Sequence, residues 1–458
     1  MPDKGLTMHK LLQRHRIVLL TLLFVGACTG LHPQLPPVDI SDTHGIDPRQ
    51  NFYQAVNADW LQSTHIPHDR PAINNFVTLS NQVNDRIKAL IIGLGEQNPR
   101  TAQQEKVARI YHSYMDTSSR NARGIAPIEQ QLRSIAAIGN HREVAIAFAR
   151  QQRLGMAGPL VGMVDADYQD SNRHIVYISQ AGLGLEREYY TGTDTRSSQQ
   201  RALYQAMLAK LCALGQFAAP ESMAENVVAL ENQLAHLQRS RVDNRDVAKT
   251  YNIVPYPQLL TSANQLMLDV QLQELGIATG YPISVMQPEY LQQLNQLFPT
   301  VDVATWKQYL STRVLLNYAE LLGDDFREVL SQYNIARGSY AKEPPRWQLA
   351  IAYIDERVGM LLGELYIEAY FDDSIKAQVN AIKDNIHAEY RHAITHSRRL
   401  SAQTRQSALH KLDKMAFQIG YPDKWQDYSS LSIARDDLVG NDMRIAQYEH
   451  LRNVRKLG

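Results

Sequence analysis

Cysteine is almost missing from this chain of 458 residues: only Cys28 and Cys212 occur. A disulfide framework is therefore excluded, and stability has to come from packing. Charge of one sign is missing as well. Acidic and basic residues balance at 47 each, so no whole-chain field gathers polyanions, and nucleic acid is not an expected partner. The apolar run Ile17–Ala27 is too short to span a bilayer. Internal repeats and low-complexity tracts are absent too. What remains is ordinary globular composition, 44% hydrophobic and 21% charged, in a chain longer than the roughly 250 to 300 residues at which single cores stop growing. Two packed subdomains are expected.

The first thirty residues stand apart. Lys4, Lys10, Arg14 and Arg16 precede the apolar run, and the order of basic, apolar and small residues is that of a secretory signal over residues 1–27. Val25-Gly26-Ala27-Cys28 resembles a bacterial lipobox, which makes Cys28 the expected lipidation site and first residue of the exported chain. The alternative is a plain signal peptide with an incidental cysteine. Thr29 after the cysteine goes with outer-membrane sorting, so the chain is expected in the cell envelope, held to the membrane by lipid and facing the periplasm. Residues 28–46, with Pro33, Pro36 and Pro37, read as a tether.

From about residue 73 the pattern is helical. Phe76, Leu79, Val83, Ile87, Leu90 and Ile91 recur at steps of three and four. Thr101 and Gln104 form a capping box ahead of Val107, Ile110, Tyr111, Tyr114 and Met115. Residues 160–165 and 174–179 are β-branched runs joined by a polar turn, a hairpin in expectation. Helical periodicity returns over 198–215, 221–239, 258–275, 288–297, 303–323, 346–370, 374–398 and 402–416. Cys212 sits in one such run as a small buried hydrophobe. The fold class is mainly α: a large multi-helix lobe with a small β-hairpin.

Several motifs recur in a fixed order. Asp47-Pro-Arg-Gln-Asn-Phe-Tyr-Gln-Ala-Val-Asn-Ala-Asp-Trp-Leu61 is followed by Ile66-Pro67, then by Tyr111-His-Ser-Tyr-Met-Asp116 and Gly182-Leu-Gly-Leu-Glu-Arg-Glu-Tyr-Tyr190. Trp306-Lys-Gln-Tyr-Leu310, Pro345-Arg-Trp347, Leu365–Phe371 and Ile419-Gly-Tyr-Pro-Asp-Lys-Trp-Gln-Asp-Tyr428 complete the series. Together these resemble the amino-terminal part of the neprilysin and endothelin-converting enzyme family of zinc metallopeptidases, with Ala58 where the family has glycine. The resemblance implies a domain over 47–458 whose 47–72 segment packs on a catalytic lobe, and it implies peptides as substrates.

Family chemistry needs a helix bearing H-E-x-x-H, because histidines four apart converge on zinc while the glutamate serves as base. The family's Asn-Ala-Tyr/Phe-Tyr segment holds the substrate backbone. These residues contain neither motif, so no catalytic and no metal residue is assigned, and zinc is expected only in the full-length family enzyme. His392-Ala-Ile-Thr-His396 has the histidine spacing, with His387 and Glu389 a turn earlier, but Ala393 stands where the base would be and the segment precedes the Ile-Gly-Tyr-Pro motif. It reads as a solvated helix face. In mammalian relatives an arginine after Ile-Pro binds a peptide's terminal carboxylate; Ala72 aligns there, which leaves Arg70 as the substrate-binding candidate, against a surface arginine with no ligand role. The leading expectation is an amino-terminal fragment without its catalytic lobe, inactive alone. The alternatives are a lipid-anchored peptide-binding lobe without hydrolysis, and one half of an enzyme completed by a separate carboxy-terminal chain docking on exposed aromatics such as Phe52, Tyr53 and Trp60.

Overall fold

Capping residues fix most helix starts in this chain. The Gln104 backbone N–H donates to the Thr101 hydroxyl at 3.2 Å and the Thr101 N–H donates to Gln104 Oε1 at 3.0 Å, closing the expected box over the Ala102–Met115 helix. Asp194 and Asp302 open Thr195–Leu214 and Val303–Tyr318 by accepting from the backbones of Ser197 and Thr305. Proline opens Pro220–Leu237 and Pro288–Leu297, at a position where the missing N–H costs nothing.

The structure, a computed structural model, describes residues 45–70, 72–96 and 100–457 and contains nineteen α-helices and one four-stranded sheet among them. The expected signal segment, Cys28 and all but the end of the expected tether lie outside the described residues. The chain divides into two units, one ending at Ile66 and one running from Pro67 to Gly458. In the first, Asp47 accepts from the Arg49 backbone and guanidinium at 2.9–3.0 Å, and Asn51 caps the Phe52–Ser63 helix through the Gln54 N–H.

In the second unit the core centres on Trp306, which is fully buried. Phe148, Phe298 and Tyr309 surround it with ring centroids 5.3–5.9 Å away, and its indole N–H donates to the Phe298 carbonyl at 3.1 Å. Edge-to-face aromatic packing of this kind adds to simple burial, and the indole's one polar atom is satisfied. The sheet lies to one side. Strands β1 (Leu160–Ala166) and β2 (His174–Gln180) form the expected antiparallel hairpin, β4 (Ile283–Val285) runs parallel to β2, and β3 (Ile253–Val254) closes the order β1-β2-β4-β3. Buried Asp167 organises the turn, accepting from Arg173 Nε and the Tyr251 hydroxyl at 2.7 Å and from the Gln169 N–H at 2.9 Å. Those bonds hold its carboxyl below the usual range.

The helix expected over 258–275 is two, Tyr256–Ser262 and Leu268–Glu274. Met267 between them sits at φ +49°, and Asn295 Oδ1 accepts the backbone N–H groups of Gln265 and Leu266 at 2.9 and 3.0 Å, satisfying donors that the break frees. The run expected over 303–323 ends at Tyr318, and a further helix, Asp324–Ala336, follows it. Leu438–Val454 was also not expected. Its buried Asn441 exchanges two 2.8 Å bonds with the Ala434 backbone, and its buried Asp442 accepts from the Tyr353 hydroxyl at 3.0 Å and lies 2.8 Å from Arg357 Nε on the Arg346–Tyr370 helix.

Candidate functional site

The motifs that repeat in order along the sequence are mostly architectural. In Gly182-Leu-Gly-Leu, a Cβ on Gly184 would lie 1.7 Å from the Tyr204 hydroxyl oxygen. Gly182, at φ +84°, would place a Cβ 2.6 Å from the Gly158 carbonyl oxygen. Only glycine lets the loop come this close. Tyr309 then donates to the Gly182 carbonyl at 2.7 Å, and Tyr190 at the end of the motif accepts the Leu185 N–H while donating to Glu231. Glu231 is fully buried and also takes bonds from Tyr204 and the Gly184 backbone, with Arg313 at 3.4 Å. Burial pushes its carboxyl up while Arg313 pulls it back. A buried charge so fully partnered is a structural knot, closed to substrate.

The other motifs behave alike. Asp116 caps Thr117–Arg123, accepting from the Ser119 N–H and hydroxyl at 3.0 and 2.7 Å, and buried Ser113 donates to the Ile110 carbonyl. In Ile419-Gly-Tyr-Pro, Gly420 at φ +77° lets Phe371 approach, and Tyr421 meets Phe371 edge-on at 5.5 Å and stacks with Trp425 at 6.2 Å.

What lies open is the Asp373–His396 helix, none of whose residues is buried. Ile375, Val379, Ile382, Ile386 and Tyr390 are 40–61% exposed. At 100° per residue they fall within an arc of about 80° and run along about 22 Å of helix. The neighbouring face is occupied, since His387 packs edge-on to Phe417 at 5.8 Å and Arg391 pairs with Asp413. Met415 and Phe417 are themselves about half exposed. A continuous apolar stripe of this length is a surface built for cover, and the periodicity of 374–398 announced the helix without announcing that its apolar side would stay open.

Arg70 lies in the second unit, half-buried, with Nη2 donating to Asn81 Oδ1 at 2.6 Å. The turn that carries it is pinned by the His68 carbonyl, which accepts from the Ala341 and Lys342 N–H groups at 3.0 and 2.9 Å. Ala72 is exposed, and so is Phe76 on the helix that follows.

The described residues do not fit a hydrolytic zinc ion. His392 and His396 stack with ring centroids 4.2 Å apart, and His396 Nδ1 contacts the His392 carbonyl oxygen at 2.9 Å. No carboxylate joins them in a metal-type group. Among the described residues one such group occurs, His112, Asp116 and Asp436, with ligand atoms within 4.8 Å of one another. It offers a single imidazole, whose Nε2 faces Arg435 at 3.0 Å, and both Asp116 oxygens are engaged by Ser119. Neither cluster has paired imidazoles with an adjacent base.

Comparison with known proteins agrees with the helical lobe and its motifs. Human endothelin-converting enzyme-like 1 is 27% identical over 399 residues, covering 82% of this chain and 51% of that protein. Human membrane metallo-endopeptidase-like 1 is 23% identical over 449 residues, 90% of this chain and 57% of the relative. The crystal structure of the Mycobacterium tuberculosis zinc metalloprotease Zmp1 with an inhibitor superposes with a TM-score of 0.84 at 28% identity, covering 92% of this chain and 64% of that one. The chain thus spans about half the length of the curated relatives it matches. With the family model matching residues 48–422, across the very motifs whose packing is described above, the chain belongs to peptidase family M13.

Proposed function

We propose that this chain is the helical lobe of a cell-envelope zinc metalloendopeptidase, that it helps to enclose peptide substrates, and that bond cleavage depends on a lobe bearing H-E-x-x-H that docks on the Asp373–His396 stripe. The observation that carries this reading is the stripe itself: a helix of 24 residues without one buried side chain, in a chain that spans about half the length of the curated relatives it matches. Leaving such a surface in water forfeits the burial free energy of several isoleucine-sized groups, each worth about 1.5–3 kcal/mol when fully covered. Zinc, held by the other lobe, would supply the Lewis acid and the activated water. No hydrolytic step falls to the residues described here.

Arg70 is the candidate for holding a peptide's terminal carboxylate, because its planar fork suits a bidentate contact and its turn is held by the 341–342 backbone. Cys28 is the candidate lipid anchor at the periplasmic face of the outer membrane; no described helix is long and apolar enough to cross a membrane. Fractionation tests the anchor, since Cys28→Ser should move the chain from the membrane to the soluble fraction.

Docking is tested by co-expressing the chain with a lobe from the same genome that carries Asn-Ala-Tyr/Phe-Tyr and H-E-x-x-H. Chelator-sensitive peptide cleavage should exceed that of either piece alone, and Ile382→Glu should lower it at least about tenfold, as expected when a charge enters an apolar interface. Activity that is merely the sum of the two pieces refutes the docking. In that outcome, measurable peptide binding by the chain alone would favour a binding lobe that works without hydrolysis.

A further inference from the structure

The chain is neutral as a whole, but its charge is uneven beyond the stripe. From Tyr390 to Leu412 there are five Arg and Lys residues, Arg391, Arg398, Arg399, Arg405 and Lys411, three histidines and no Asp or Glu. The stretch comprises the end of the Asp373–His396 helix, a turn, and most of the Ala402–Asp413 helix. Arg405 is half-buried and reaches back to the turn, where its Nη1 donates to the Ser397 and Leu400 carbonyls at 3.0 and 2.9 Å. A cation thus closes the end of one helix, and the Ser401 hydroxyl, accepting the Thr404 N–H at 3.1 Å, opens the next.

Arg398 and Arg399 sit in this turn. Both are exposed, and neither guanidinium meets a partner among the described residues. Elsewhere exposed arginines meet carboxylates, as Arg123 does with Asp437, Arg133 with Glu129 and Arg241 with Glu186. Along 390–412 the one ion pair among the described residues is that of Arg391 with Asp413. One turn therefore carries three guanidinium groups without a compensating acid, and their field reaches about 8 Å into physiological salt.

We propose that this turn is a docking surface for an anionic phospholipid membrane, with Arg398 and Arg399 meeting headgroup phosphates and Arg405 holding the turn in shape. The planar guanidinium fork suits phosphate oxygens. The membrane follows from the proposed lipid on Cys28, on which this inference rests: a lipid there would hold the chain beside a bilayer without deciding which face meets it. Charge complementarity decides, placing this turn against the headgroups.

The exported chain, beginning at residue 28 with Cys28→Ser so that no lipid is attached, is sedimented with vesicles of phosphatidylcholine or of phosphatidylcholine mixed with phosphatidylglycerol. At low salt the mixed vesicles should bind it at least about tenfold more tightly, since each Arg or Lys near an anionic surface is worth about fivefold. Added salt should remove the difference. Arg398→Gln combined with Arg399→Gln should lower affinity for the mixed vesicles at least about tenfold, whereas lysine at both positions should keep most of it. Both side chains are exposed and unpaired, so the fold should be unchanged. Ile382→Ser, on the apolar stripe, should leave binding as it is. Equal binding to both kinds of vesicle, or loss with Ile382→Ser and not with the double glutamine variant, would assign the contact to the stripe and overturn the proposal. Binding to neither would overturn it too, and would leave the patch for an acidic protein partner. A failed lipid anchor shows separately, in the Cys28→Ser fractionation, where physiological salt screens the patch too strongly for it to hold the chain alone.

Discussion

Arg313→Met tests the buried knot behind the Gly182–Tyr190 motif. Arg313 is 13% exposed and sits 3.4 Å from Glu231, which is 1% exposed. Removing the cation leaves a buried carboxylate with Tyr190, Tyr204 and the Gly184 N–H as its remaining partners. Breaking a buried pair from one side costs about 3–5 kcal/mol, and the three remaining donors argue for the lower end, about 3 kcal/mol. The pH dependence has a definite sign. Burial holds Glu231 above the usual carboxylate range and Arg313 pulls it back. A carboxyl raised in the folded state contributes stability that is complete below its unfolded value and is lost as pH rises through the folded one. Without Arg313 the folded value rises further, so the variant's deficit should widen between about pH 5 and about pH 8. Urea unfolding of parent and variant at both pH values measures it, and Arg313→Met combined with Glu231→Gln should recover most of the loss. A deficit under about 1 kcal/mol, or one no larger at the higher pH, would refute the reasoning.

Gly182→Ala should destabilise the chain by more than about 3 kcal/mol, because its Cβ meets backbone at a positive φ; Gly280→Ala, at φ +103° with open space around it, should cost only about 1 kcal/mol, both read by urea unfolding. Cys212 is buried and its thiol is pushed up to about 12, so a thiol reagent near neutral pH should label it only after denaturation. Ile382→Glu should leave the stability of the chain within about 0.5 kcal/mol of the parent, because the side chain is already 58% exposed, and should reduce binding of an apolar dye. A large loss of stability there would mean that the stripe is covered.

Local chemistry made much of the fold readable. The Thr101–Gln104 box, the 160–179 hairpin and the long periodic runs carry their own signals of capping, alternation and helical repeat. The signal failed where contacts are distant in sequence. β3 and β4 have two and three residues, too few to show a period, and exist because Asn252, Ser284 and Val285 pair across a loop. The break at Met267 is set by Asn295, far along the chain, and Leu438–Val454 is held by Asn441 and Asp442 through partners that the sequence does not mark. For the candidate site, the motifs were legible as a family pattern, but their roles were not. Gly184 and Tyr190 look like a loop signature, and only the positions of Tyr204 and Glu231 show that they serve the core. The apolar residues of 374–398 gave the helix, while their exposure depends on what packs against it.

Peptide hydrolysis by the purified chain alone, assayed with and without a zinc chelator, tests the central claim most directly. The account predicts no chelator-sensitive cleavage with added zinc, because His392, His396 and His112 do not form a paired-imidazole site with a base. Chelator-sensitive turnover by these residues unaided, with one tightly held zinc per chain, would contradict it.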